Sequence, residues 1–178
     1  MVSSIILIII YLMSPTDFKV DFNDSEIQDW QVINDGVMGG LSKGRTVSTE
    51  EGVLFSGSVS LANNGGFTSY RGPYRRYDLT DFSQLVIKYK SEGISLAFQM
   101  SVDTRFYIPN YKISLPNSAN QWVTKTYNLS DFKQYQLGNF TGRSFSQENK
   151  KEIIRLGFIT NEKKEGNFSF EIDFFEFR

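Results

Sequence analysis

The sequence predicts an all-β domain, an antiparallel sandwich or barrel, on three observations. Apolar residues recur with a period of two along several short segments. Gly and Asn clusters, which favour turns, separate those segments. Aromatics make up 15% of the 178 residues, with sixteen Phe and nine Tyr. That load calls for a packed, β-rich core and argues against disorder.

The chain opens on an unbroken apolar run, Ile5 to Met13, followed by Ser14-Pro15-Thr16. The run is too short to span a bilayer but fits the apolar region of a signal peptide. Met1 to Ser4 carries no Lys or Arg, and no clear small-x-small cleavage site follows. A buried first strand is the structural alternative, disfavoured by the lack of alternation and by Pro15. The missing Arg also disfavours a mitochondrial transit peptide. Residues 1–16 are therefore expected to be an export signal or anchor, with membrane contact through residues 5–13. Residues 17–178 are expected to form a single β-sandwich domain.

From Asp17 onward the period is mostly two. Val53, Phe55, Val59 and Leu61 alternate with Ser56, Ser58 and Ser60, with Gly57 on the core side. Ile94, Leu96, Phe98 and Met100 alternate with Ser95, Ala97, Gln99 and Ser101. Phe168, Phe170, Ile172 and Phe174 alternate with Ser169, Glu171 and Asp173. Each reads as a strand with one face on a core. Phe67–Arg71, Leu85–Tyr89, Tyr111–Leu115, Trp122–Tyr127 and Ile153–Ile159 add strands, and Lys90-Ser91-Glu92-Gly93 reads as a hairpin turn. Ser146 to Glu152 is the best helical candidate, about two turns with a Ser start. The expectation is at most one or two short helices. The βαβ alternation of a nucleotide-binding fold is missing.

Composition removes whole classes of chemistry. The chain has no Cys and no His. A Cys nucleophile, a disulfide framework, a thiolate or imidazole zinc site and a Ser-His-Asp triad are all excluded. The net charge of −1 gives no general attraction to nucleic acid. The expectation is a protein that is not an enzyme and uses no cofactor.

Two glycine-rich segments hold the candidate site residues. Trp30 to Ser42 contains Asn34-Asp35-Gly36-Val37-Met38-Gly39-Gly40, and Phe55 to Arg71 contains Asn63-Asn64-Gly65-Gly66-Phe67. Glycines let a ligand or a second backbone come close. The first segment could bind through Asn34, Asp35 and Ser42, the second through Asn63, Asn64 and Arg71. Each also has a plain reading as a turn, with Asp35 capping its own backbone and Trp30 packed inside. If the two loops meet at one end of a sandwich, they can share a site. Gly39 to Thr46 nearly matches the phosphate-loop pattern, but Arg45 stands where lysine is required and Val47 to Gly52 is no helix.

Weaker signals remain. Arg71, Arg75 and Arg76 interleave with Tyr70, Tyr74 and Tyr77, which reads better as a solvated loop than as a single-strand nucleic-acid site. Trp122, Tyr107 or Tyr111 could stack on sugar rings if exposed. Asp21, Asp24, Glu26 and Asp173 offer the oxygen ligands that Ca²⁺ takes, but without a signature spacing.

Trp30-Gln31-Val32-Ile33-Asn34-Asp35-Gly36-Val37-Met38-Gly39-Gly40-Leu41-Ser42 resembles the opening signature of the complex I intermediate-associated protein family. The stretch from Phe55 through Gly65-Gly66-Phe67-Thr68-Ser69-Tyr70-Arg71 resembles its second signature. Weaker likeness continues through Asp78 to Phe82, Trp122, Leu129 to Phe132, Ile154 to Phe158 and Gly166 to Phe168. The resemblance covers about Phe18 to Phe177. It implies a jelly-roll β-sandwich of the galactose-binding-like type. It also implies a chaperone-like assembly factor without a catalytic site, whose candidate partners are membrane respiratory complex subunits. An export-like start in place of a transit peptide makes the chain look like a bacterial, domain-only member, exported or membrane-associated. A eukaryotic member would be mitochondrial.

Two functions follow as expectations. The first is a binding domain that holds a protein partner. The alternative is an exported carbohydrate-binding module using Asn34, Asp35, Asn63, Asn64, Arg71 and Trp122 to hold a glycan.

Overall fold

A computed structural model describes residues 18–24 and 29–178. The apolar start lies outside them. The described residues form two antiparallel sheets packed face to face, with no α-helix among them.

One sheet contains β1 (Phe18–Asp21), β3 (Lys43–Thr49), β4 (Gly52–Val59), β6 (Gln84–Gly93), β9 (Val123–Asn128) and β13 (Gly166–Phe177). Its order is β3-β4-β13-β6-β9. The twelve-residue β13 is the spine. It pairs with β6 along one side, and with β4 and then β1 along the other.

The other sheet contains β2 (Gln31–Asn34), β5 (Thr68–Arg71), β7 (Leu96–Ser101), β8 (Asn110–Leu115), β10 (Lys133–Gln136), β11 (Asn139–Ser144) and β12 (Arg155–Thr160). Its order is β11-β10-β8-β7-β12-β5-β2.

The inner faces meet on aromatics, as the alternation requires. Phe98 of one sheet stands edge-on to Phe175 of the other, with ring centroids 5.0 Å apart. Phe158 and Phe170 meet across the same gap at 5.3 Å. Burying each ring contributes about 1.5–3 kcal/mol. Tyr89 lies in this core but donates its hydroxyl to Pro116 O at 2.8 Å, so its polar end is not stranded.

The structure departs from the sequence expectation at several points. The segment Lys90–Gly93 is no hairpin turn. It continues β6 against β13, and the chain then crosses to the other sheet. The register of β13 shifts between Ile172 and Phe174, so Phe168, Phe170, Ile172, Phe175 and Phe177 face the core. Phe174 is turned outward under Lys19. A bulge has this effect because one extra residue exchanges the two faces. Leu61 falls past the end of β4 and is exposed, whereas Tyr111 is buried and offers no surface for a sugar. The helical candidate forms a 3-10 turn, Gln147–Lys151, with Ser146 and Asn149 closing a capping box. It has no apolar stripe to bury, so nothing offsets the cost of nucleating a full helix.

Candidate functional site

The two glycine segments do meet, and what fills the space between them is a side chain of this protein. Asp35 opens a 3-10 turn after β2 and is 1% exposed. Its Oδ1 accepts the backbone N–H of Ser42 at 3.0 Å. Its Oδ2 accepts the Ser42 hydroxyl at 2.6 Å and the N–H groups of Gly66 and Phe67 at 2.7 and 3.2 Å. Burial alone pushes such a carboxyl upward. Here the hydrogen bonds from Ser42, Gly66 and Phe67 outweigh it and hold the group below the usual Asp value.

The glycines make this possible. A Cβ on Gly40 would fall 2.3 Å from Asp35 Cγ, and one on Gly65 would fall 2.7 Å from Asp35 Oδ2. Asn34 works beside Asp35, its Oδ1 accepting Gly44 N–H at 2.9 Å and the Thr68 hydroxyl at 2.5 Å. Ser42 Oγ also accepts Ser60 N–H at 3.1 Å, and Asn63 donates to Gly39 O at 3.2 Å. Together these contacts clamp one loop to the other.

The remaining candidates lie elsewhere. Asn64 is exposed with a positive φ of 59° beside the clamp. Arg71 ends β5 on the outer face of the seven-stranded sheet, donating Nε–H to Ser69 Oγ at 2.9 Å. Trp122 precedes β9 on the outer face of the other sheet, under the ammonium groups of Lys88 and Lys90, and donates Nε1–H to Glu51 at 3.0 Å. Asn34, Asp35, Ser42 and Asn63 are thus brought together, and Arg71 and Trp122 are on opposite outer faces.

Of the calcium candidates, Asp21 and Asp173 come near each other, with Asn23 donating to both, but each also pairs with a lysine. Glu26 lies outside the described residues. Asp21 pairs with Lys19 at 2.6 Å and Asp173 with Lys88 at 2.5 Å. Among the described residues no group of three His, Cys, Asp or Glu is placed to hold a metal.

The Arg-Tyr cluster is split by the sheet. Tyr70 and Tyr77 are buried, Arg75 lies over the Tyr77 ring, and Arg71 shares the outer face with Arg155. Arg155 was not visible as a site residue in the sequence. It is 7% exposed, donates Nε–H to Gly72 O at 2.8 Å and stacks on Tyr74 at 4.2 Å. Only its pairing position on β12, two residues from the partner of Arg71, reveals it.

A second group, of which the sequence pointed only to Tyr107, lies near the β10–β11 edge. Phe106, Tyr107, Leu137 and Phe140 are all exposed. Phe106 packs on Tyr107, Gln136 binds Tyr107 O at 3.1 Å, and Phe140 pairs with Tyr135 across β10 and β11. All six residues of β11 are exposed.

The described residues thus define a two-sheet antiparallel β-sandwich whose two glycine loops are joined by a polar clamp. Solved structures agree on the fold. The chain is similar to a family 11 carbohydrate-binding module of the cellulosomal cellulase Lic26A-Cel5E of Clostridium thermocellum. That match has a TM-score of 0.63 and 16% identity over 90% of this chain and 94% of the other. A structure of the family 11 module from the same organism with a beta-1,3-1,4-mixed-linked tetrasaccharide aligns at a TM-score of 0.61. It also has 16% identity, over the same shares of both chains. No curated protein matches at the sequence level. The family itself is shown directly: this chain belongs to the complex I intermediate-associated protein 30 family, whose profile matches residues 20–172.

Proposed function

We propose that this chain is a non-enzymatic domain that holds a protein partner in a chaperone-like way, as an assembly factor does. Family membership supports the class. The observation that carries the reading is the exposed group Phe106, Tyr107, Leu137 and Phe140 beside the open edge strand β11. Exposed aromatics clustered at an unpaired strand suit docking of another polypeptide. The clamp keeps its polar groups for the fold and sits at the β2–β5 edge of the sheet, away from this surface.

Glycan binding is the second reading, and the likeness to carbohydrate-binding modules speaks for it only through the fold. Against it, Tyr74, Tyr107, Tyr135 and Trp122 each carry a cation over a ring face. Each of these rings thus already has one face engaged by a cation.

Cross-linking and mass spectrometry on native cells tests both. The expected result is capture of membrane complex subunits, lost in a Phe106→Ser, Phe140→Ser double variant that keeps its melting temperature. Deletion of the gene should leave a complex I subassembly. A normal complex I with nothing captured would overturn the reading, and retention on a glycan array would favour the second. We also propose membrane attachment through residues 5–13, which fractionation of cells expressing the full chain checks.

A further inference from the structure

We propose that the outer face of the seven-stranded sheet is a binding site for an acidic protein segment, with its carboxylates seated on Arg71, Arg155 and Lys112. The proposal rests on the protein-partner reading above and adds what kind of segment that partner presents.

Charge separation between the two sheets is the first observation. None of β2, β5, β7, β8, β10, β11 and β12 contains an Asp or a Glu, yet they carry Arg71, Lys112, Lys133, Arg143 and Arg155. The opposite sheet handles its cations differently. There Lys88 meets Asp173 at 2.5 Å and Lys90 meets Glu171 at 2.7 Å. Among the described residues no ion pair involves Arg71, Lys112 or Arg155. The six-stranded sheet thus sets carboxylates of β13 beside both lysines of β6, whereas the strands of the seven-stranded sheet bring no carboxylate to their cations.

Geometry is the second. The cross-strand pairs Lys133–Lys112, Lys112–Gln99, Gln99–Gly157 and Gly157–Arg71 form one row across the sheet. Arg155 lies two positions from Gly157 on the same face. Gly157 keeps the row open, because a Cβ there would fall 3.0 Å from Arg71 Cγ. Each Arg uses Nε on the protein, Arg71 on Ser69 and Arg155 on Gly72. The Nη edge of each guanidinium fork remains for a carboxylate. Burial, and then the charge of Arg155, push Arg71 down to about 10, a repulsion that a bound anion would relieve.

Lys112 and Arg71 stand three strand spacings apart, about 14 Å. An extended segment covers that distance in about four residues, and residues four apart point to the same side. Two carboxylates at that spacing match the row. The apolar group at the β10–β11 edge continues the face for a flanking hydrophobic residue. Tyr74 and Tyr135 each hold one of these cations over a ring face, which fixes the charges on this side of the sheet.

The test uses the full chain and a fluorescent oligo-glutamate peptide, read by anisotropy. Binding is expected at low ionic strength, weakened by added salt. It should fall about tenfold in Lys112→Gln and in Arg71→Gln. Lys112 is half-exposed, so its variant keeps the test open should Arg71→Gln fail to fold. Absence of binding, or undiminished wild-type binding by both folded variants, overturns the proposal. So does tighter binding of oligogalacturonate, which would make the face a site for an acidic glycan. A carbodiimide, which joins a carboxylate directly to an amine, then separates this idea from the parent reading. In native extracts a captured partner should couple through Lys112 or Lys133. A partner captured at Phe106 and Phe140 but coupled to neither lysine keeps the protein-partner reading and overturns the acidic segment.

Discussion

The hydroxyl of Ser42 donates to the carboxylate of Asp35 at 2.6 Å, and both residues are buried. Around this bond Asp35 also receives three backbone N–H groups, two of them from the second loop. Replacing Asp35 by Asn puts an amide where acceptors are needed. We expect Asp35→Asn to cost about 2–4 kcal/mol in urea unfolding at neutral pH. Its folded pKa lies below the unfolded value of about 3.9. The stabilisation is therefore complete above that value and is lost as pH falls through the folded pKa. The gap between wild type and variant should be flat from about pH 5 upward and narrow in acid. A gap that widens in acid would contradict this account.

Gly40 and Gly36 make a matched pair. A Cβ on Gly40 strikes the Asp35 carboxylate, whereas one on Gly36 meets nothing within 4 Å. Gly40→Ala should lower stability by about 1–3 kcal/mol. Gly36→Ala should stay within about 0.5 kcal/mol of wild type. Equal effects in thermal unfolding would mean that the close approach is not what requires glycine.

Glu171 accepts from Lys90 at 2.7 Å and from the Thr49 hydroxyl at 2.7 Å while 8% exposed. Glu171→Gln leaves Lys90 without its charge partner and should cost about 1–3 kcal/mol. Trp122→Ala, on the same face, removes ring contacts to two partly buried lysines and should cost about 1 kcal/mol. Chemical denaturation orders the two, and the reverse order would show that packing of the indole dominates that face.

Burial pushes the Tyr70 hydroxyl up to about 12. The folded form favours the neutral phenol, so this stabilisation is complete below pH of about 10 and declines as pH rises toward the folded value. In a spectrophotometric titration Tyr70 should ionise only in the unfolding transition. Ionisation of every tyrosine in one step near pH 10, with the fold intact, would refute it.

Much of the fold was legible because alternation encodes which face is inside. Phe98 and Phe170 were placed on the core by period alone, and the structure buries both. The misreadings have one origin, since period does not report where a strand slips or changes sheets. Phe174 turned outward at a bulge, and Lys90–Gly93 proved to be strand. The clamp was half legible. Asn, Asp and Gly in two loops signalled tight backbone. That Gly66 would bind Asp35, thirty-one residues away, is a tertiary fact. The cationic face was hidden for the same reason. Its residues come from strands scattered along the chain, and only the strand order shows that none brings a carboxylate.

The placement of β13 has a consequence for how the protein is made. The last strand of the sandwich to leave the ribosome is the one that β1, β4 and β6 all need. Until it emerges, the first-made strands lack their central partner, and the Phe98 and Phe158 rings lack Phe170, Phe175 and Phe177. Closure must therefore follow synthesis of the domain, and until then the nascent chain displays unpaired edges and bare aromatics.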